Sequence, residues 1–411
     1  MPVRTDASEI HSSPTGHPLG PRGSLRTVYS CPRWWDLCGY SLESSLVNKN
    51  FINLYLNQLV SYNINDKYPF ATNMKKQIGV FLLLILLYSC ADNNFPDVSA
   101  ISADLHVQRF EKDFFRIDTN NVQSSINRLE AEYPYFIHDF IENILGLPPL
   151  SDTSKHGIAA IKQFLSDYRP LMDSAEKKFP EMGYIEREVE QGLKFVKFYF
   201  PLYKIPGKLI TFIGPIDGYG DVITSDALAV GLQLHMGSNF SMYNSEMGQS
   251  LYPIYISRKF TPETIPVNCI MNVINDMFPE KTAGKTLLEQ MVDKGKRQYV
   301  LDKLLPHSPD TLKIGYTSNQ LKGCYKNEGL IWNFFLTNSL LLNNEPGIIK
   351  SYVGEAPNTP EFGAGSPGNI GTFIGSQIVK KYMDKNPSTT LPDLMHTDAK
   401  KIYEESRYRP K

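Results

Sequence analysis

"KLITFIGPIDGYGDVITSDALAVGLQLHM" runs from Lys208 to Met236. Its reading decides whether this chain contains a sheet. Residues 208–214 are compact and β-branched, and Asp217-Gly218-Tyr219-Gly220 is turn chemistry. Beyond the turn, Leu228, Val230, Leu232, Leu234 and Met236 fall on alternate positions, the period of a half-buried strand. Together these stretches predict a small antiparallel sheet near the middle of the chain.

Both flanks read as helix. Residues 106–206 carry apolar side chains at spacings of three and four in "VQSSINRLEAEYP", "YFIHDFIENILG", "GIAAIKQFLSDY" and "MGYIEREVEQGLKFVKFYFP". Downstream, "LYPIYISRKF" (251–260) reads as extended. Thr261-Pro262-Glu263 then opens a helix that reaches about Phe278, and Pro279 ends it. A second helix runs from near Gly284 to about Leu305. "TSNQLKGCYKNEGLIWNFFLTNSLLL" gives one or two more around Gly323, and a Gly/Pro-rich loop fills 354–368. "IGTFIGSQIVKKYM" and "LPDLMHTDAKKIYEESRY" supply the last helices. The fold class expected is mainly α (α+β), a helical domain with a small central antiparallel sheet.

Composition narrows the function. A hydrophobic content of 42% supports a real core, and a net charge of −1 leaves no electrostatic footprint for nucleic acid. Of five cysteines, Cys269 and Cys324 fall in the body, among apolar neighbours that suggest packing.

"MKKQIGVFLLLILLYSCADNN" begins at Met74. Lys75 and Lys76 form a positive n-region, Ile78 to Tyr88 is an apolar run broken by Gly79, and the chain turns polar after Cys90. That is a secretory signal, too short to span a bilayer. Leu87-Tyr88-Ser89-Cys90 resembles a lipobox, in which the cysteine receives a covalent lipid and becomes the mature N-terminus. The expected layout is residues 1–73 as a misassigned, disordered extension, 74–89 as a lipoprotein signal, 90–105 as a tether and 106–411 as one globular domain. No cofactor is expected apart from the lipid on Cys90.

Other motifs carry less. "GAGSPG" (363–368) matches a dinucleotide fingerprint by letter, but no strand precedes it and Pro367 occupies the turn. "GKT" (284–286) lacks the glycine a phosphate loop needs five residues earlier, where Pro279 stands. Asp217, Asp221 and Asp226 lack calcium-loop spacing and read as turn acids. His235, alone at the end of the alternating stretch, reads as a surface or edge residue.

The segments "TFIGPIDGYGDVITSDALAVGLQLHMG" (211–237), "LYPIYISRKFTPETIP" (251–266), "KTLLEQMVDKGKRQYVLDKLLP" (285–306), "NEGLIWNFF" (327–335) and "GNIGTFIGSQIVKKYM" (368–383), in this order, resemble the gliding-motility lipoprotein GldB family. The resemblance covers residues 74–411. It implies an outer-membrane, lipid-anchored protein needed for gliding and for its associated protein-secretion machinery. Its partners would be other proteins of that machinery, with the membrane engaged through the N-terminal lipid. The family pattern places Glu immediately before Gly295, whereas this chain has Lys294. The layout is also similar to a degenerate zincin-metallopeptidase core. Zincins hold Zn²⁺ with two histidines of an H-E-x-x-H helix and a third ligand. "PETIPVNCIMNVINDMF" has no histidine, so the expectation is a non-catalytic, pseudoenzyme-like scaffold with no metal and no catalytic residue. The alternatives are a metal-dependent hydrolase of the envelope using His235, Asp276 and Glu289, and a glycan-binding lipoprotein using exposed aromatic side chains.

Overall fold

The computed structural model describes residues 95–149 and 155–411. Leu87, Tyr88, Ser89 and Cys90 lie outside them. Strand β1 (His106–Arg109) is followed by helices α1 (Phe110–Phe114), α2 (Val122–Glu132) and α3 (Phe136–His138), the last running into a π-helical turn, Asp139–Ile144. Then come α4 (Lys155–Asp167), α5 (Arg169–Lys178) and α6 (Gly183–Tyr199). Strands β2 (Lys208–Phe212), β3 (Val222–Ile223) and β4 (Ala227–Gly231) complete the sheet. Short helices α7 (Glu246–Leu251) and α8 (Ile254–Ser257) lead to α9 (Ile265–Met277) and α10 (Leu287–Leu304). The remainder is helical: α11 (Asp310–Ile314), α12 (Ser318–Lys326), α13 (Glu328–Thr337), α14 (Pro346–Val353), α15 (Ile370–Lys385), α16 (Leu391–His396) and α17 (Ala399–Ser406). The mainly helical expectation holds.

The sheet differs from the antiparallel one expected. It is mixed, in the order β1-β2-β4-β3, with β1–β2 and β2–β4 parallel and β3–β4 antiparallel. Parallel neighbours need long crossovers, and the helices between β1 and β2 provide one. The tight hairpin joins β3 to β4, closed where the Thr224 amide donates to the Ala227 carbonyl at 2.9 Å. The alternating stretch is not a half-buried strand either. All five residues of β4 are buried, as expected for a strand covered on both faces. The chain then leaves the sheet in a 3₁₀ turn, Leu232–Leu234. Gln233 directs that exit: its side chain accepts from the Gly214 amide at 3.0 Å and donates to the Tyr219 carbonyl at 2.8 Å. Residues 251–260, expected as extended, form α8 and the end of α7, separated by Pro253. β1 lies inside the region expected to be wholly helical; four residues are too few to show a period.

Two packing centres hold the body together. Beside the sheet, Phe110, Phe114, Phe136, Phe140 and Phe212 are fully buried, with Phe140 4.8 Å from both Phe110 and Phe114. Here Glu111 is buried and accepts from Arg109 and Thr211, each at 2.5 Å, tying α1 to β1 and β2. The second centre is the crossing of α10 and α15. Gly295 and Gly375 face each other so closely that a Cβ on Gly375 would strike the Met291 main chain, and one on Gly295 would strike that of Gly375. Backbones approach this nearly only where side chains are missing. α10 starts with a capping box: Thr286 Oγ1 accepts from the Glu289 amide, and Glu289 accepts from the Thr286 amide at 2.9 Å.

Part of the expected tether packs on the body. Val98, Ala103 and Leu105 are buried, and the Lys303 ammonium sits over the Phe95 ring at 5.8 Å.

Candidate functional site

The site grows from one face of α9. Asn268 and Asn272 are four residues apart, so a helix places both on one side. Both point at Asp221: Asn268 Nδ2 donates to its carboxylate at 2.7 Å and Asn272 Nδ2 to its main-chain carbonyl at 3.0 Å. The same carboxylate receives His235 Nε2, 2.9 Å from each oxygen. On the other side of the ring, Nδ1 donates to the Thr261 carbonyl at 3.1 Å, and the Thr264 hydroxyl lies 3.3 Å away. The His235 and Asp221 side chains are 2% and 5% exposed. Burial alone would lower the imidazole's affinity for a proton. The charge of Asp221, its hydrogen bond and the Thr261 carbonyl outweigh burial and raise His235 above its ordinary value. The pair is therefore a buried histidine–carboxylate contact that favours the protonated ring, locked between a turn, a strand exit and a helix.

His235 is thus not the surface residue expected, and Asp221 is not a solvated turn acid. The three turn acids diverge: Asp226 pairs with Lys208 at 2.8 Å, the side chain of Asp221 is buried and Asp217 is exposed. Asp276 accepts from the Tyr203 hydroxyl at 2.7 Å, and Glu289 is held in the α10 cap. The structure does not bring His235, Asp276 and Glu289 together, and among the described residues no three His, Cys, Asp or Glu side chains gather as a metal-binding group. The residues on and beside α9 do not fit zinc: the amides of Asn268 and Asn272 are neutral and their NH₂ groups already donate to Asp221, while both nitrogens of His235, after the 3₁₀ turn, are engaged. Cys269, between the two asparagines, is buried, and burial with the nearby Asp221 charge pushes its thiol well above the ordinary value. Such a thiol is not a nucleophile.

Above this closed network lies an open cavity of about 500 Å³. Thr264 and Asn268 belong to both the cavity wall and the network. Val267, Met271, Leu312 and Ile314 supply apolar surface. Cations dominate the charged part. At one end Lys259 pairs with Glu355 at 2.7 Å, while Arg258 donates to the carbonyls of Tyr255 (3.1 Å) and Gly315 (3.0 Å) and to Gln320 (3.4 Å), all neutral. At the other end Glu280 is 3.7 Å from Lys294 and 3.5 Å from Arg297. Arg297 is also held by Asn275 at 2.8 Å and the Phe278 carbonyl at 2.5 Å. Each end therefore sets two cations against one carboxylate. Burial lowers the proton affinity of both guanidiniums, outweighing the nearby charges of Glu355 on Arg258 and of Glu280 and Asp293 on Arg297. Lys294 contributes a positive charge where the family resemblance implies an acid. A second hollow, about 420 Å³, lies on the far side of Glu280, Lys294 and Arg297; in it Asp293 bridges Lys285 and Lys296.

A third hollow, about 650 Å³, is lined by Tyr135 and Tyr219, each 60% exposed, with Asn143, Thr224 and Ser225. The two sequence decoys are structural. Thr359 and Ser366 stitch the "GAGSPG" loop shut, the Thr359 amide donating to Ser366 Oγ at 3.0 Å. Gly284 takes a left-handed φ of 74° in the turn before the α10 cap.

A family model described as gliding motility protein GldB matches residues 91–410. No curated protein and no solved structure matches the chain.

Proposed function

The chain belongs to the gliding-motility protein GldB family, and from that premise we propose that it is a non-catalytic outer-membrane lipoprotein of the gliding and secretion machinery, anchored through Cys90 and working by protein contacts. The match begins at residue 91, immediately after the cysteine that would carry the lipid. The observation that carries the contact role is the cavity with two cations per carboxylate at each end, open above a network whose polar groups are already used. Such a cavity favours an acidic segment of a partner: guanidiniums match carboxylates in pairs, and the apolar wall takes the intervening side chains. The test is crosslinking and capture of the tagged full chain from gliding cells, beside Lys259→Glu and Cys90→Ala variants. The parent is expected to retrieve envelope proteins of the gliding apparatus, Lys259→Glu to retrieve several-fold less, and Cys90→Ala to leave the membrane. Stoichiometric zinc whose removal abolishes a hydrolytic activity would overturn the reading in favour of the hydrolase.

A second reading has its own observation. Two exposed tyrosines beside amide and hydroxyl groups, at Tyr135 and Tyr219, suit stacking on a sugar face. Glycan-array binding lost in Tyr135→Ala and Tyr219→Ala variants would support it.

A further inference from the structure

The surface around the N-terminal end of the body has a composition of its own. Residues 102–106 run between the two feet of the turn joining α6 to β2. Lys197 Nζ donates to the Ser102 carbonyl at 2.7 Å, and the His106 amide donates to the Gly207 carbonyl at 3.0 Å. At the tip of this turn Leu202 is 100% exposed, and Phe198 on the last turn of α6 is 45% exposed. The tip is not slack. Phe200 packs on Phe278 at 5.7 Å, and the Tyr203 hydroxyl donates to Asp276 at 2.7 Å. These two inward anchors hold Leu202 outward. Exposed Lys197 and Lys204 flank it. The patch continues through Tyr199, which meets Phe198 edge-on at 5.0 Å, to Lys303, 5.3 Å from the Tyr299 ring and 5.8 Å from that of Phe95.

A clamped, fully exposed leucine with aromatic neighbours and lysines at its rim is the chemistry of a membrane interface. The apolar tips enter among the headgroups and the lysines reach the phosphates. Chain length adds a second argument. Five residues lead from Cys90 to Phe95, and fully extended they span at most about 17 Å. A lipid on Cys90 therefore brings Phe95, and the face it belongs to, within that distance of the bilayer. We propose that the patch of Phe198 and Leu202, rimmed by Lys197, Lys204 and Lys303, docks on the lipid surface, so that the body lies against the membrane instead of hanging from it. This rests on the lipid-anchor reading given above.

The test uses the lipid-modified mature chain, reconstituted in vesicles of phosphatidylcholine and phosphatidylglycerol that contain brominated phospholipid. A tryptophan is added as Leu202→Trp, and in a separate chain as Leu342→Trp. Leu342 is 75% exposed and adjoins Leu341 and Asn343, whose carbonyls receive the first amides of α10. Lys303 is near the other end of that helix, about 24 Å away at 1.5 Å per residue. The emission added by Leu202→Trp is expected to be quenched several-fold more than that added by Leu342→Trp. Equal quenching on vesicle-bound protein would overturn the docking face and leave the anchor standing. Protein that does not float with the vesicles would overturn the anchor and the docking face together.

Discussion

At the scale of single residues, Asp221 and His235 dominate. Replacing the Asp221 carboxylate weakens the hydrogen bonds of buried polar groups that converge on it, at a cost of about 1–3 kcal/mol, so Asp221→Asn is expected to lower stability by that order. The pH dependence has a definite sign. His235 is raised in the folded protein above the 6.5 of an unperturbed imidazole. Its contribution is therefore complete below about pH 6.5, and is lost as pH rises through the folded value. Melting temperatures measured across that window should fall more steeply in the parent than in Asp221→Asn; parallel curves would contradict the assignment. The pair was hidden in the sequence because its members come from separated segments. Asp221 looked like one of three turn acids, and His235 like a strand-end residue. Only Asn268 and Asn272, four apart on one helix, gave a local sign of a polar cluster, and two asparagines suggest no chemistry by themselves.

Elements explain what the motif glycines do. Gly295 and Gly375 lie in two of the stretches that carry the family resemblance, and they are where α10 and α15 touch backbone to backbone. Gly375→Ala forces the helices apart, and overpacking of this kind costs about 1–3 kcal/mol. Gly347 in α14 has open space around a built Cβ, so Gly347→Ala is expected to be neutral or stabilising by about 0.5–1 kcal/mol. Denaturant midpoints of the two variants should move apart; a matching loss in both would contradict the crossing. Helix positions were legible wherever apolar spacing met a start or stop signal, as at Thr261-Pro262 and Pro279. The sheet was legible in place and wrong in direction. Its strands are short, and parallel pairing depends on crossovers that no local pattern records. The alternation at 228–236 crosses the end of β4 into a 3₁₀ turn, because Gln233 bends the chain there.

For the whole molecule, α10 acts as a spine. Lys303 near one end belongs to the membrane-facing patch, Lys294 lines the cavity, and the 341–343 loop closes the other end. A body lying on the bilayer thus presents its cavity part-way up that spine. The edge strand β1 has a further consequence, a mechanical one. Under the proposed anchoring through Cys90, a load applied at that end would pass first through residues 95–105 and then into β1. This strand has a neighbour on one side only, but its rungs to β2 are parallel and Glu111 bolts the next turn to Thr211. Stretched between its N-terminal end and Lys411 in an optical trap, the chain should first release a short length as Val98, Ala103 and Leu105 peel away. A distinct, larger rip should follow when β1 parts from β2. Thr211→Val, which removes the hydroxyl that Glu111 accepts from, should lower the force of the second event and leave the first unchanged. The protein would then give a little under strain before it breaks, as a shock-absorbing mount does.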